Sequence, residues 1–269
     1  MTAVSEFDFE QVSLCEAVIE AMSIVRQDFP ADDLRQQLNA LVEEAQRVID
    51  PNADQDLRLE QLLALFYGEW GFGGSSGVYH LSDALWLDNV LQSRQGTAVS
   101  LGTVFLHVAK AVGIPLEPVI FPTQLILRAD WLDGEMWLIN PFNGDTLDEH
   151  TLEAWLKGNV GLLSELYAED LEPTDAEVVM RKLLDTLKAA LMEEKQMETA
   201  LRVSELLLQF DPEDPYEIRD RGLIYAQLEC EHVALHDLNY FIEQCPEDPI
   251  SEMIKLQIHS IEHKQITLH

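Results

Sequence analysis

The tetrapeptide PEDP occurs at residues 212–215 and again at 246–249, a period of 34 residues, and Ala200 and Ala234 keep the same spacing. An internal repeat constrains a fold more than local propensity does, because each copy must form the same unit and stack on its neighbour. In the better copy, Gly222, Tyr225, Ala234 and Pro246 supply a small residue, an aromatic, a second small residue and a proline. Small residues let paired helices pack closely, and proline ends the second helix of the pair. The earlier copy is weaker, with Lys188 and Leu191 at the first two positions. The spacing predicts helix pairs over 176–210 and 216–245 and a closing helix over 250–266.

This order of small, aromatic and helix-ending residues resembles the tetratricopeptide (TPR) repeat. Two such repeats are marginal alone and must lean on the rest of the chain. The resemblance implies a concave surface that takes peptide segments, with Tyr225, His232 and Asn239 as its candidate contacts.

The chain before the repeats has a different character. FEQVSLCEAVIEAMSIVRQDFP, ADDLRQQLNALVEEAQRVIDP and DQDLRLEQLLALFYGEW each carry apolar residues at helical spacing, so residues 6–67 read as helices. GFGGSSG follows and reads as a flexible turn; it lacks the lysine and residue order of a phosphate cradle. SDALWLDNVLQSRQG reads as a helix capped by Ser82, and TAVSLGTVFLHVAKAVGIP as a strongly apolar helix stopped by Gly113 and Pro115. Gly102 in it would let another backbone come close. Three extended pieces come next, LEPVIFP, QLILRAD and EMWLINPF, the second with the alternation of a half-buried strand and an Asp-Gly hairpin signal before the third. Helices with a small antiparallel sheet make an α+β, mostly helical fold, followed by an all-α segment. The reading divides the chain into residues 1–172 and 173–269.

Charge narrows the function. Seventeen Lys and Arg against 49 Asp and Glu give a net charge of −32. Such a chain is repelled by phosphate backbones and has no basic stripe, so direct nucleic-acid binding is not expected; most of the charge reads as solubility, with a basic protein partner as the sharper alternative. With no apolar run of membrane-spanning length, no membrane association is expected. Three scattered cysteines (Cys15, Cys230, Cys245) and no visible leader point to a reducing, cytoplasmic setting. No cofactor or metal is expected. HSIEH at 259–263 matches an inverted zincin pattern only formally, and His232 with His236 reads as a solvated helix face. Arg94 and Arg128 each either pair internally, the commoner case, or mark an anion-binding spot.

Within the first part, GTAVSLGTVFLHVAKAVGIP, VIFPTQLILR and WLINPFNG, with FYGEWGFGG and DNVLQSRQG before them, resemble the SirB-type family: a transglutaminase-like domain followed by TPR repeats. The resemblance covers nearly the whole chain and implies a papain-like core. Its superfamily uses a Cys at the start of the core helix, a His on the next strand and an Asp on the strand after. Counted back from GIP, Ala98 stands where the Cys belongs, and a shift of two puts Ser100 there. Gln124 stands at the His position and Asn140 at the Asp position. Glutamine is no general base near neutral pH, and asparagine cannot stabilise an imidazolium that is absent. The resemblance therefore implies a non-catalytic, regulatory interaction protein. Gln124 and Asn140 either hold a peptide amide or small polar ligand, or only satisfy backbone groups at strand ends. The alternative is a hydrolase or acyltransferase with Ser100 as nucleophile; His107, two helical turns on, is about 10 Å away along the axis and so a poor base.

Overall fold

The structure is a computed structural model that describes residues 12–75, 77, 80–132 and 134–267. The chain forms two compact units, one of residues 12–23 and 27–183, the other of residues 24–26 and 184–267. Residues 6–11, which the sequence places at the start of a helix, lie outside the described residues.

The first unit begins with α1 (Leu14–Val25), α2 (Ala31–Val48) and α3 (Gln55–Leu63). Leu34, Leu38, Leu41 and Ala45 recur every three or four residues along α2 and are all buried. Arg35 bonds back to Glu16 at 2.7 Å, tying α2 to α1. The third helix does not run on evenly. It passes into a π-helical turn, Ala64–Glu69, where Trp70 N–H reaches back to Leu65 O at 2.8 Å. That wider turn puts Phe66 and Tyr67 on the same core: Phe66 stacks on Phe72 at 4.2 Å and meets Phe105 edge-on at 5.0 Å.

Two expectations for the next stretch are corrected here. GFGGSSG is no free turn: β1 (Gly73–Gly74) pairs in parallel with β2 (Gln95–Gly96). The predicted helix from Ser82 is instead a 3-10 turn, Leu81–Ala84, then α4 (Leu87–Ser93), and Ser82 is buried rather than a cap of that helix. The cause is the Ala84 carbonyl, which accepts from Thr97 N–H and the Ser100 hydroxyl and so is diverted from a helix ladder.

The core helix α5 (Ala98–Ala111) follows, and Gly113 at φ +69° stops it. β3 (Glu117–Ile120), β4 (Leu125–Asp130), β5 (Met136–Ile139) and β6 (Thr146–Leu147) form one antiparallel sheet in sequence order, one strand more than the sequence reading expected. β4 is buried on both faces, not half-buried. Ile126 packs with Leu138, Leu152 and Leu156 in a cluster that includes α6 (Glu149–Asn159), while a Cβ at Gly102 of α5 would lie 2.5 Å from Leu125 Cδ2 and 3.7 Å from Leu127 Cδ2. Gly102 thus admits a side chain, not another backbone.

The second unit is all helix. The boundary falls within α7 (Ala176–Glu193), and α8 (Met197–Phe210), α9 (Pro215–Gln227), α10 (Glu231–Gln244) and α11 (Ser251–Thr267) complete it. Pro215 occupies the first turn of α9, where no amide is needed, and Asp214 caps it by accepting from the Tyr216 and Glu217 amides. Gly222 lets α10 approach: a Cβ there would sit 3.0 Å from Asp237 Cβ. Buried Asp237 takes both ends of the Arg221 guanidinium at 2.7 and 2.9 Å.

Lys188, the misfit of the weaker repeat, is only 4% exposed. Its ammonium donates to the buried Glu217 carboxylate and lies 3.0 Å from Asp220, while Ser204 donates to the other Glu217 oxygen at 2.6 Å. Burial pulls the lysine down, but Asp220 and Glu217 outweigh it and hold its pKa above 10.5. Lys188→Met should destabilise the repeat unit by about 3–5 kcal/mol, because Glu217 is left buried without a cation. Lys188→Met with Glu217→Gln should regain a large part of that loss in urea unfolding. A lysine pKa raised by folding contributes stability that is complete below the unfolded value and fades as pH rises through the folded one, so the Lys188 contribution should be lost only in strongly alkaline buffer.

Candidate functional site

The site is built where α5 begins. Thr97 caps the helix by accepting the Ser100 amide, and the Ser100 hydroxyl accepts the Thr97 amide at 2.9 Å, a reciprocal capping box. The same hydroxyl donates to Ala84 O at 2.6 Å and is fully buried. Its one proton is committed to a backbone carbonyl. Gly96 lies above it, since a Cβ there would fall 2.7 Å from Ser100 Oγ. Ala98, the first residue of α5, is also buried.

A backbone ladder runs outward from this helix start. Gly73 N–H donates to Arg94 O and Ser75 N–H to Gly96 O, while the intervening Gly74 N–H donates to Phe142 O at 2.9 Å. Gly74 is therefore stitched on both edges, and a side chain there would strike the Phe142 ring at 2.7 Å. Phe142 N–H in turn donates to Asn140 Oδ1 at 3.1 Å, and Gln124 Nε2 donates to the same oxygen at 3.2 Å. Gln124 and Asn140 are thus direct partners, one at the start of β4 and the other at the end of β5. Leu125, next to Gln124, packs against Gly102 one turn into α5.

The two amides have their orientation fixed by this network. Phe142 N–H needs an acceptor, so Asn140 turns its oxygen inward and Gln124 presents its nitrogen. Gln124 Oε1 accepts and Asn140 Nδ2 donates no further hydrogen bond among the described residues, and neither side chain is fully buried. Beside them, Thr123 Oγ1 is buried without a partner. An open acceptor and an open donor on two paired amides match the groups of a neutral peptide amide.

Tyr67 holds the turn from behind. Its hydroxyl donates to Pro141 O at 2.9 Å, and its ring fills the space at Gly144, where a Cβ would approach it to 2.5 Å. Burial pushes the phenol well above its ordinary pKa, so it stays a neutral donor. Sequence reasoning missed Tyr67, Gly74 and Phe142. Gly74 and Phe142 had signals, a glycine run and an Asn-Gly turn, but nothing in either names its distant partner, and Tyr67 had none.

The remaining candidates lie elsewhere. His107 lines a separate cavity of about 460 Å³ with Cys15 and Lys110, and burial first, then Lys110, lowers its pKa against the pull of Glu16. Cys15 is buried and its thiol is pushed up to about 12, which makes it inert as a thiolate near neutrality. Arg94 sits 4.6 Å from the Phe72 ring centre, and Arg128 bonds Asp130 and Leu171 O. His259 and His263 contact each other at 2.9 Å, and no group of three or more metal-ligating side chains occurs among the described residues. Of the repeat residues, Tyr225 packs into the cluster of Leu238, Phe241 and Ile254, whereas His232 and Asn239 are exposed two turns apart on α10.

A transglutaminase-like first unit followed by helical repeats is the class of protein this fold defines, and known proteins agree. The chain matches the transglutaminase-like superfamily over residues 32–185 and the tetratricopeptide repeat over residues 187–259. It is 65% identical to Protein SirB1 of Salmonella typhimurium across the whole of both chains. It is 62% identical, again over both full lengths, to the UPF0162 protein YchA of Escherichia coli, and 40% identical over 97% of each chain to a UPF0162 protein of Vibrio cholerae. The chain belongs to this SirB-type family of the transglutaminase-like superfamily.

Asn140→Ala removes the acceptor shared by Gln124 and Phe142. It should cost about 1–3 kcal/mol in unfolding experiments. Asn140→Asp, which keeps the acceptor, should cost clearly less.

Proposed function

We propose that this protein is a non-catalytic, regulatory interaction module that acts through protein partners. The observation that carries the reading is the Gln124–Asn140 hydrogen bond at 3.2 Å, with Phe142 N–H on the same Asn140 oxygen. These are the positions where the superfamily carries His and Asp, and the pair keeps a donor–acceptor relation while holding no group that titrates near neutral pH. Ala98 supplies no nucleophile. Ser100 has its proton on Ala84 O, no exposed surface, and no histidine among its hydrogen-bond partners. That environment speaks against the hydrolase reading.

The first unit then serves as a scaffold whose amide pair receives an uncharged polar group, and the repeats supply the partner surface, with Tyr225, His232 and Asn239 as its contacts. A net charge of −32 favours a basic partner and disfavours nucleic acid. No helix among the described residues is long and apolar enough to cross a membrane.

Serine- and cysteine-directed activity probes should leave position 100 unlabelled in the folded protein. Ser100→Ala should leave the labelling pattern unchanged while lowering stability by about 1 kcal/mol or more through loss of the hydroxyl's bonds to Thr97 N–H and Ala84 O. Labelling that Ser100→Ala abolishes would overturn the reading. For the partner surface, immobilised wild-type protein should retain basic proteins at low and moderate salt, and His232→Glu with Asn239→Glu should change which are retained. Retention of nothing above background at either salt would count against it.

A further inference from the structure

A second cavity of the first unit carries a different chemistry. It encloses about 400 Å³ and is lined by Ala53, Asp54, Gln55 and Asp56 at the start of α3 and by Trp131, Leu132, Glu135 and Trp137 of the β4–β5 hairpin. Three carboxylates and two indoles thus face one space. The tryptophans stand edge-to-face, with centroids 5.4 Å apart and planes at 89°. Leu132 at the rim is fully exposed.

We propose that this cavity binds a lysine or arginine side chain of a basic polypeptide. Indole faces attract cations through their quadrupole, and an ammonium or guanidinium flanked by carboxylates gains further from each charge. Asp54 is the capping residue of α3 yet makes no side-chain capping bond, so its carboxylate is not consumed by the helix. The field of the whole chain has the same sign, which steers a cation toward the cavity. One observation favours a long basic side chain over a small free cation: the fully exposed Leu132 at the rim offers apolar contact for its stem. The site deepens the reading of a basic protein partner, but it lies in the first unit and has its own test.

The test is titration of the full-length protein with N-acetylated, C-amidated tetralysine and tetraarginine, with tetraglutamine as neutral control and tetramethylammonium and spermidine as free cations. Calorimetry gives the affinity. The indole N–H cross-peaks of the five tryptophans, assigned by Trp→Phe substitution, report the location. A basic peptide should bind, shift the Trp131 and Trp137 peaks, and lose about tenfold in affinity on Trp131→Ala or on Asp54→Asn with Asp56→Asn. Should Trp131→Ala unfold the hairpin, Trp131→Leu and the aspartate pair, which lies outside the sheet, carry the same test. Binding that responds to the aspartates but to no tryptophan substitution would mean diffuse attraction to an acidic surface and would overturn the site. Free cations binding as tightly as the peptides, or no peptide binding at millimolar concentration, would also overturn it. Partner retention lost on His232→Glu with Asn239→Glu while peptide binding is unchanged supports both sites. Retention without any peptide binding leaves the interaction reading standing and removes this cavity from it.

Discussion

The hydroxyl of Ser100 fixes how the first unit is assembled. It closes the capping box with Thr97, accepts the Thr97 amide and donates to Ala84 O, so one buried oxygen joins the start of α5 to the 3-10 turn before α4. Gly96 has no side chain because Ser100 lies beneath it, and the strand that holds Gly96 is the one to which Gly73 and Gly74 pair. From there the ladder continues through Phe142 to the two amides. The cap of one helix thus sets the position of a site built from four separated segments. A group so placed stabilises the fold: its proton is used, and its space is filled.

The second unit rests on a buried ion network. Glu217 lies between the Lys188 ammonium and the Ser204 hydroxyl, and Asp237 takes the Arg221 fork. These pairs join helices across both repeats, and burying them is costly unless every partner is present. Short solenoids gain little from nearest-neighbour packing alone. Fully satisfied charged contacts specify which helix faces meet where the apolar area is small. The excess negative charge is a separate matter: it is spread over both halves of the chain and bears on solubility and association rather than on the choice of fold.

Much of the architecture could be read from local pattern. The 34-residue period located the helix pairs because each repeat obeys the same packing rule, and Gly113 marked the end of α5. What escaped depends on contacts distant in sequence. Ser82 followed by Asp83 looks like a helix start, but the Ala84 carbonyl is claimed by residues 97 and 100. GFGGSSG looks like a free loop, yet Gly73 and Gly74 pair with the β2 strand and Gly74 has no room for a side chain beside Phe142. Lys188 reads as a flaw in the repeat until Glu217, 29 residues on, is seen to need it. The amides Gln124 and Asn140 were legible as a pair only through the family resemblance. Tyr67, which secures the turn beside them, left no sign in its own neighbourhood.

The central proposal is that Ala98, Gln124 and Asn140 stand at the positions of a catalytic triad; of these, Gln124 and Asn140 are in direct contact. The direct measurement places the triad's chemistry back: Ala98→Cys, Gln124→His and Asn140→Asp together, with Cys230 and Cys245 replaced by Ser, followed by the pH dependence of thiol alkylation. The account predicts fast alkylation near neutral pH by a thiolate of depressed pKa, which falls back to ordinary thiol behaviour when Gln124 is restored. A triple variant that reacts no differently from Ala98→Cys alone would contradict it.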